Sequence, residues 1–135
     1  SLGLQADAWA PAVEQWGAEQ LQGRFLDQSG RPMEALDYAA WAAIRAVGEA
    51  VTRTGQSAAK PLRDYMLSEG FGLAGFKGRP MTFRGWNGQM RQPMALFHDD
   101  ALVALAPLEG FLHQTDELDS LGLDRPDSAC NTFQE

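Results

Sequence analysis

The chain has very little cysteine and histidine, and each shortage excludes a class of site. Cys130 is the only cysteine, so the sequence can form no intrachain disulfide and no cysteine-based metal site. The two histidines, His98 and His113, lie on unrelated local structure and match no spacing of metal ligands. We therefore expect no bound metal and no cofactor, and we interpret His98 with Asp99 and Asp100 as a polar turn.

Long apolar runs and basic clusters are missing too. No run approaches the roughly 20 apolar residues that a membrane-spanning helix needs. The net charge is −7 and the eleven lysines and arginines are scattered, so no basic stripe could offset phosphate repulsion and we expect no nucleic-acid partner. The chain begins at Ser1 without Met and without a basic n-region, so we see no signal peptide. That start fits a processed or engineered boundary and is not evidence against export.

The residues that are present suit one folded domain. A chain of 135 residues with 44% hydrophobic residues and four tryptophans is long enough for a single core. We place that domain at residues 1–115. The acidic residues that follow have neither the spacing nor the central glycine of a calcium loop, so we predict a mobile acidic tail over 116–135.

Helical spacing dominates the first half. We predict a helix capped by Asp7 that contains Trp9 and Trp16, then a short helix with Leu21 and Phe25 on one face. The most regular helix is expected over about 34–54 and should end at Gly55. Its predicted core face comprises Leu36, Ala40, Ala43, Ile44, Val47 and Val51. A fourth helix should begin after Ser57 and end near Gly70.

Short strands are predicted in the second half. Alternation suggests strands over 81–84, 92–97 and 102–105, and Asn87-Gly88 is typical of a hairpin turn. Pro93 lacks a backbone donor and favours an edge or crossover strand.

No set of catalytic groups can be assembled from this pattern. The sequence has no nucleophile elbow, and the glycine-rich stretch over 70–75 follows a helix instead of the strand that a dinucleotide site requires. We therefore expect that the protein is not an enzyme and that binding is its function. A small enzyme using His98 or His113 stays an alternative hypothesis.

Several motifs occur in an order typical of one receptor family. They are Trp41-Ala42-Ala43-Ile44, Arg53-Thr54-Gly55, Leu62-Arg63, and Gly78 followed by Phe83 and Asn87-Gly88-Gln89. In this order they resemble the C-terminal part of type I periplasmic solute-binding proteins, the branched-chain amino-acid receptor family of ABC transporters. With the later stretch Leu108-Glu109-Gly110-Phe111-Leu112-His113, the chain is most similar to the subgroup associated with quinone-cofactor (PQQ) dependent alcohol catabolism.

The resemblance implies an α/β fold, here a partial type I periplasmic-binding-protein fold with helices followed by a short β-hairpin and crossover sheet. It implies a periplasmic protein that captures a small solute, such as an amino acid, between two lobes and meets the membrane permease of an ABC transporter. This chain would hold about the last third of that protein, and the N-terminal lobe would be its missing partner.

The resemblance also implies site residues. It places ligand contacts at the start of the long helix, where we name Leu36, Asp37, Tyr38 and Trp41. It places the hinge crossovers at Leu4, Trp9, Arg91, Pro93 and Phe97. The alternative function is a self-associating structural or interaction domain without ligand binding. Apolar faces that once met the missing lobe would make the fragment a homodimer.

Overall fold

The computed structural model describes residues 3–133, which form a mixed fold of helices and small antiparallel sheets. This mixture is compatible with the predicted α/β class. The helices are α1 (Ala18–Ser29), α2 (Ala35–Thr54) and α3 (Ala59–Met66). The strands are β1 (Gln5–Asp7), β2 (Thr82–Phe83), β3 (Met90–Arg91), β4 (Met94–His98) and β5 (Ala101–Ala106), and short 3-10 turns follow at Glu117–Ser120 and Arg125–Asp127.

The larger sheet joins the beginning of the described chain to its second half. Its strand order is β1-β4-β5, and both pairings are antiparallel. Strands β2 and β3 form a separate hairpin around the predicted Asn87-Gly88 turn. Pro93 lies just before β4, so the central strand keeps its hydrogen bonds, and the prediction of an edge strand there is wrong.

The predicted helix around Trp9 and Trp16 is wrong. Residues 8–17 form turns and irregular backbone after β1, although Trp9 and Val13 are buried as a core helix would have placed them. Gly17 has a positive φ of 83° and comes directly before α1, so the first helix of the described chain begins only after this residue. The backbone of Asp7 also pairs with β4, so Asp7 belongs to a strand and does not cap a helix.

The predicted bounds of α2, which rest on helical periodicity and on Gly55, are confirmed to within one residue. Glu34 and Asp37 form a capping box at its start, and Gly55 ends it with a φ of 66° and a hydrogen bond to Val51. The predicted α3 is also confirmed, but it begins after Ala58 and ends at Met66, four residues before Gly70.

The buried face of α2 is not the one we predicted. The helix buries Tyr38, Ala42, Ala46 and Ala50, whereas Leu36 is 85% exposed and Ile44 is 75% exposed. An alanine-rich helix offers an apolar stripe on more than one side, so periodicity alone could not distinguish the two faces. Aromatic stacking decided the outcome, since Tyr38 packs between Trp9 and Trp41 in the core.

The acidic C-terminal segment packs on the hairpin instead of extending as a separate tail. Leu118 and Asp119 are 3% and 4% exposed, and Asp119 bonds to two arginines of the hairpin region. The structure therefore differs from the predicted division at residue 116. The two arginines that donate hydrogen bonds to Asp119 lie about thirty positions earlier in the chain. The acidic composition of the segment itself gives no sign of these contacts.

Candidate functional site

A cleft lies between the C-terminal half of α2 and the glycine-rich loop over 70–80. It encloses about 760 Å³ and is lined by residues from the 15–16 turn, α2, α3 and that loop. A volume of this size falls within the range of small-molecule sites. Gly70, Gly72, Gly75 and Gly78 all line it, so little side-chain bulk stands between the loop backbone and the opening.

One wall of the cleft carries opposite charges side by side. Arg53 donates from Nε to Glu49 Oε1 across 2.7 Å, one turn apart on α2. The Arg53 side chain is 66% exposed and that of Glu49 is 26% exposed, so solvent still reaches both groups. Arg79, at the other side of the cleft, forms an ion pair with Glu117 at 3.2 Å. The two sides of the cleft together therefore offer a carboxylate and two guanidinium groups within one opening.

Aromatic rings make up the rest of the lining. Trp16 is 88% exposed, an unusual position for the largest apolar side chain. Tyr65 also lines the cleft, and its hydroxyl donates to the Gly70 carbonyl at 3.3 Å. Phe76 lines the same opening and packs against the partly buried Trp41 with the rings tilted by 32° and 5.6 Å between their centroids. These rings can cover an apolar group next to the charged wall.

Behind the cleft a lysine is buried against the aromatic core. Lys77 is 2% exposed, and its Nζ lies 4.4 Å from the centroid of the Tyr38 ring. The same Nζ donates to Gln92 Oε1 at 2.7 Å and to the Pro93 carbonyl at 3.0 Å. Burial lowers the pKa of Lys77 to about 7, against the opposing effect of the Asp7 carboxylate.

The shifted lysine predicts a protein whose stability rises with pH. Between about pH 7 and the usual lysine pKa of about 10.4, the unfolded chain binds more protons than the folded chain. The destabilising burial of charge is therefore complete below pH 7 and is relieved as pH rises. Urea titrations at pH 7, 8 and 9 should show the free energy of unfolding increasing by at most about 1.4 kcal/mol per pH unit.

Lys77→Met should flatten this rise, because methionine does not titrate. Lys60→Met is the matched control, since the Lys60 side chain is 77% exposed and pairs with Asp64 on the surface. A rise in stability that is the same in both variants would contradict the assignment to Lys77.

A second charged cluster binds the C-terminal segment to the hairpin region. Arg84 donates from Nε to Asp119 Oδ1 at 2.6 Å, and Arg91 bonds both carboxylate oxygens at 2.8 and 2.9 Å. Arg84 also donates to the carbonyls of Leu121 and Leu123, so its guanidinium is well satisfied. Burial alone would raise the pKa of Asp119, but the bonds from Arg91 and Arg84 outweigh it and hold that pKa below its usual range.

The structure does not bring the four predicted ligand residues to one surface. Leu36 points outward, and Asp37 forms a two-bond ion pair with Arg31 and caps α2. Tyr38 is 1% exposed and donates its hydroxyl to the Gly75 carbonyl at 2.7 Å, while Trp41 is partly buried beside it. None of the four lines the large cleft. Tyr38 and Trp41 therefore act in this structure as core residues that support the cleft loop.

The predicted hinge segments do lie together. Gln5, next to Leu4, pairs with Phe97, so the first described strand and β4 are neighbours. Trp9 continues from β1 into the core, where it stacks on Tyr38 at 4.6 Å and donates from its indole to Gln22. Arg91 is the last residue of β3, and Pro93 comes directly before β4. Their role as a hinge remains a prediction.

The histidines occupy separate places. His98 lies 3.2 Å from Asp99 at an exposed turn, and His113 lies 3.1 Å from Asp124. Within residues 3–133, no three His, Cys, Asp or Glu side chains converge in a way that could hold a metal ion. In that same part of the chain, no helix has the length and apolar character to cross a bilayer.

Sequence reasoning missed the charged wall of the cleft. Glu49 and Arg53 are one helical turn apart, a spacing that signals an i,i+4 pair but does not show what lies beside it. The density of glycines over 70–78 is the stronger signal, but above it serves only to argue against a dinucleotide site.

A scan against protein-family models found no match, and searches of curated proteins and of solved structures likewise found none.

Proposed function

We propose that this chain is part of the solute-binding component of an ABC-type transport system. In this role it captures a small solute, such as an amino acid or a related metabolite, in the periplasm and presents it to a membrane permease. The observation that carries the proposal is the cleft of about 760 Å³ with Glu49 and Arg53 exposed in one wall. The motif order described above, from Trp41 to Gln89, supports the same class of protein.

The chemistry of the cleft fits a zwitterion with an apolar side chain. A guanidinium such as Arg53 or Arg79 is suited to a carboxylate, and Glu49 is suited to an ammonium group. The rings of Trp16 and Tyr65 provide apolar cover for the rest of the solute.

The open shape of the cleft is consistent with a partial type I periplasmic-binding-protein fold. Small-molecule sites usually bury most of the surface of their ligand, and a single wall cannot do this. In the proposed function a second lobe closes over the solute, and the neighbouring strands β1 and β4 belong to the hinge. This chain alone should therefore bind weakly.

Titration of the ¹⁵N-labelled chain with leucine tests the proposal. We expect amide shifts at Arg53, Gly72 and Gly75, with a dissociation constant of about 1 mM or weaker, because only one side of the solute is covered. Arg53→Ala should abolish these shifts. Arg45→Ala is the matched control, since Arg45 is exposed on the same helix but does not line the cleft.

Two results would contradict the proposal. If leucine, other free amino acids and small carboxylates all leave the cleft amides unmoved, the cleft is not a solute site. If shifts appear but persist in Arg53→Ala, the charged wall does not recognise the solute. A dissociation constant in the micromolar range or lower for the solute would contradict the narrower claim that a second lobe is required.

A further inference from the structure

Helix α2 presents an apolar stripe to solvent on the side opposite its buried face. Leu36 and Ile44 are 85% and 75% exposed, and Val47 and Val51 are 45% and 40% exposed. Ala40 and Ala43 lie exposed between them on the same side of the helix. Six apolar side chains thus follow one another along a 20-residue helix, and all six are exposed to solvent in the described chain.

The stripe is divided into a bulky half and a small half. The branched side chains of Ile44, Val47 and Val51 occupy the C-terminal half, whereas the N-terminal half has alanines at positions 40 and 43 and one large side chain, Leu36, at its end. If two copies of α2 cross antiparallel about the point between residues 43 and 44, two of the three branched side chains face an alanine and the third faces the leucine at the end of the stripe. Ile44 then meets Ala43, Val47 meets Ala40, and Val51 meets Leu36. A parallel arrangement would instead oppose branched to branched and alanine to alanine, which leaves both clashes and gaps.

We propose that α2 is the interface of a two-fold symmetric homodimer in which the two helices pack antiparallel through this stripe. Small residues near the axis let the helix backbones approach closely, and opposed helix dipoles favour the antiparallel direction. The proposal concerns a surface separate from the cleft and does not depend on solute binding.

The area of the stripe suits a dimer at the weak end of specific interfaces. Covering such a helix face on both copies removes on the order of 1,000 Å² from water, close to the lower limit for a specific protein interface. We therefore expect a concentration-dependent equilibrium rather than a permanent dimer.

Sedimentation equilibrium of the full chain up to millimolar concentration tests the interface. The wild type should approach the mass of two copies, and Ile44→Lys should raise the dissociation constant at least tenfold by placing a charge beside the axis. Val103→Lys is the control, because Val103 is 60% exposed on β5, outside the stripe, and should dimerise like the wild type. A wild-type chain that stays monomeric at millimolar concentration would overturn the proposal, and so would equal weakening by both lysine variants.

Cross-linking tests the direction of packing. In a Cys130→Ser background, Ala43→Cys should form a disulfide-linked dimer under mild oxidation, because position 43 meets its copy near the axis. Leu36→Cys should not, since the two copies of position 36 lie roughly 22 Å apart along antiparallel helices at 1.5 Å per residue. Cross-linking through position 36 and not through 43 would contradict the antiparallel arrangement.

Discussion

Replacing Asp119 by alanine is expected to lower the free energy of unfolding by about 3–5 kcal/mol, the usual result of breaking a buried ion pair from one side. Asp119 is 4% exposed and receives bonds from both Arg84 and Arg91. Its removal leaves the Arg84 guanidinium, itself 1% exposed, without its carboxylate. Chemical denaturation followed by tryptophan fluorescence measures the loss.

Glu117→Ala is the matched control for that experiment. Glu117 lies in the same 3-10 turn and also pairs with an arginine, but both side chains of its pair with Arg79 are well exposed. An exposed pair contributes at most about 1 kcal/mol, so the control should stay close to the wild type. Similar losses in the two variants would show that the turn itself, and not the buried carboxylate, stabilises the fold.

The loss of stability at low pH is a second test of the Asp119 carboxylate. The folded-state pKa of Asp119 lies below the unfolded value, so its contribution to stability is present above about pH 3.9 and is lost as pH falls through the folded pKa. The Asp119→Ala variant should lack this part of the acid-induced loss.

Replacing Tyr38 by alanine is expected to cost about 3–5 kcal/mol of unfolding free energy, as for other large-to-small changes of buried aromatics. The Tyr38 ring stacks on Trp9 with 9° between planes, contacts Trp41 and carries the Lys77 ammonium on its face. Alanine would remove all of these contacts and leave a cavity at the centre of the core. Thermal unfolding followed by near-ultraviolet circular dichroism measures the effect.

Tyr38→Phe separates the ring from the hydroxyl. Phenylalanine keeps the stack and loses only the hydrogen bond to the Gly75 carbonyl, which should cost about 1 kcal/mol. A loss in Tyr38→Phe as large as that in Tyr38→Ala would mean that the bond to the cleft loop, and not the aromatic stack, is the main stabilising contact.

Local sequence signals predicted those helices and turns well whose formation depends on neighbouring residues. Helical periodicity and the stop at Gly55 place α2 within one residue, and the glycine of the Asn87-Gly88 turn has a φ of 70° as a hairpin turn requires. Pairing between strands that are far apart in the sequence could not be predicted from local signals. The strand that pairs with β1 lies some ninety positions further along the chain. No residue near Trp9 therefore indicated that the segment before it forms a strand instead of a helix.

The sequence by itself determined where α2, α3 and the hairpin form, because caps, glycines and side-chain periods act over a few residues. It also determined that α2 has apolar side chains on nearly every side. Only the tertiary structure decided which side is buried, since the stack of Trp9 on Tyr38 outweighs the aliphatic stripe of Leu36 and Ile44. Only the tertiary structure placed Lys77 and Asp119 in the interior, because the groups that satisfy their charges come from distant parts of the chain. A charge is buried only where such partners meet it, and three-dimensional packing alone brings them together.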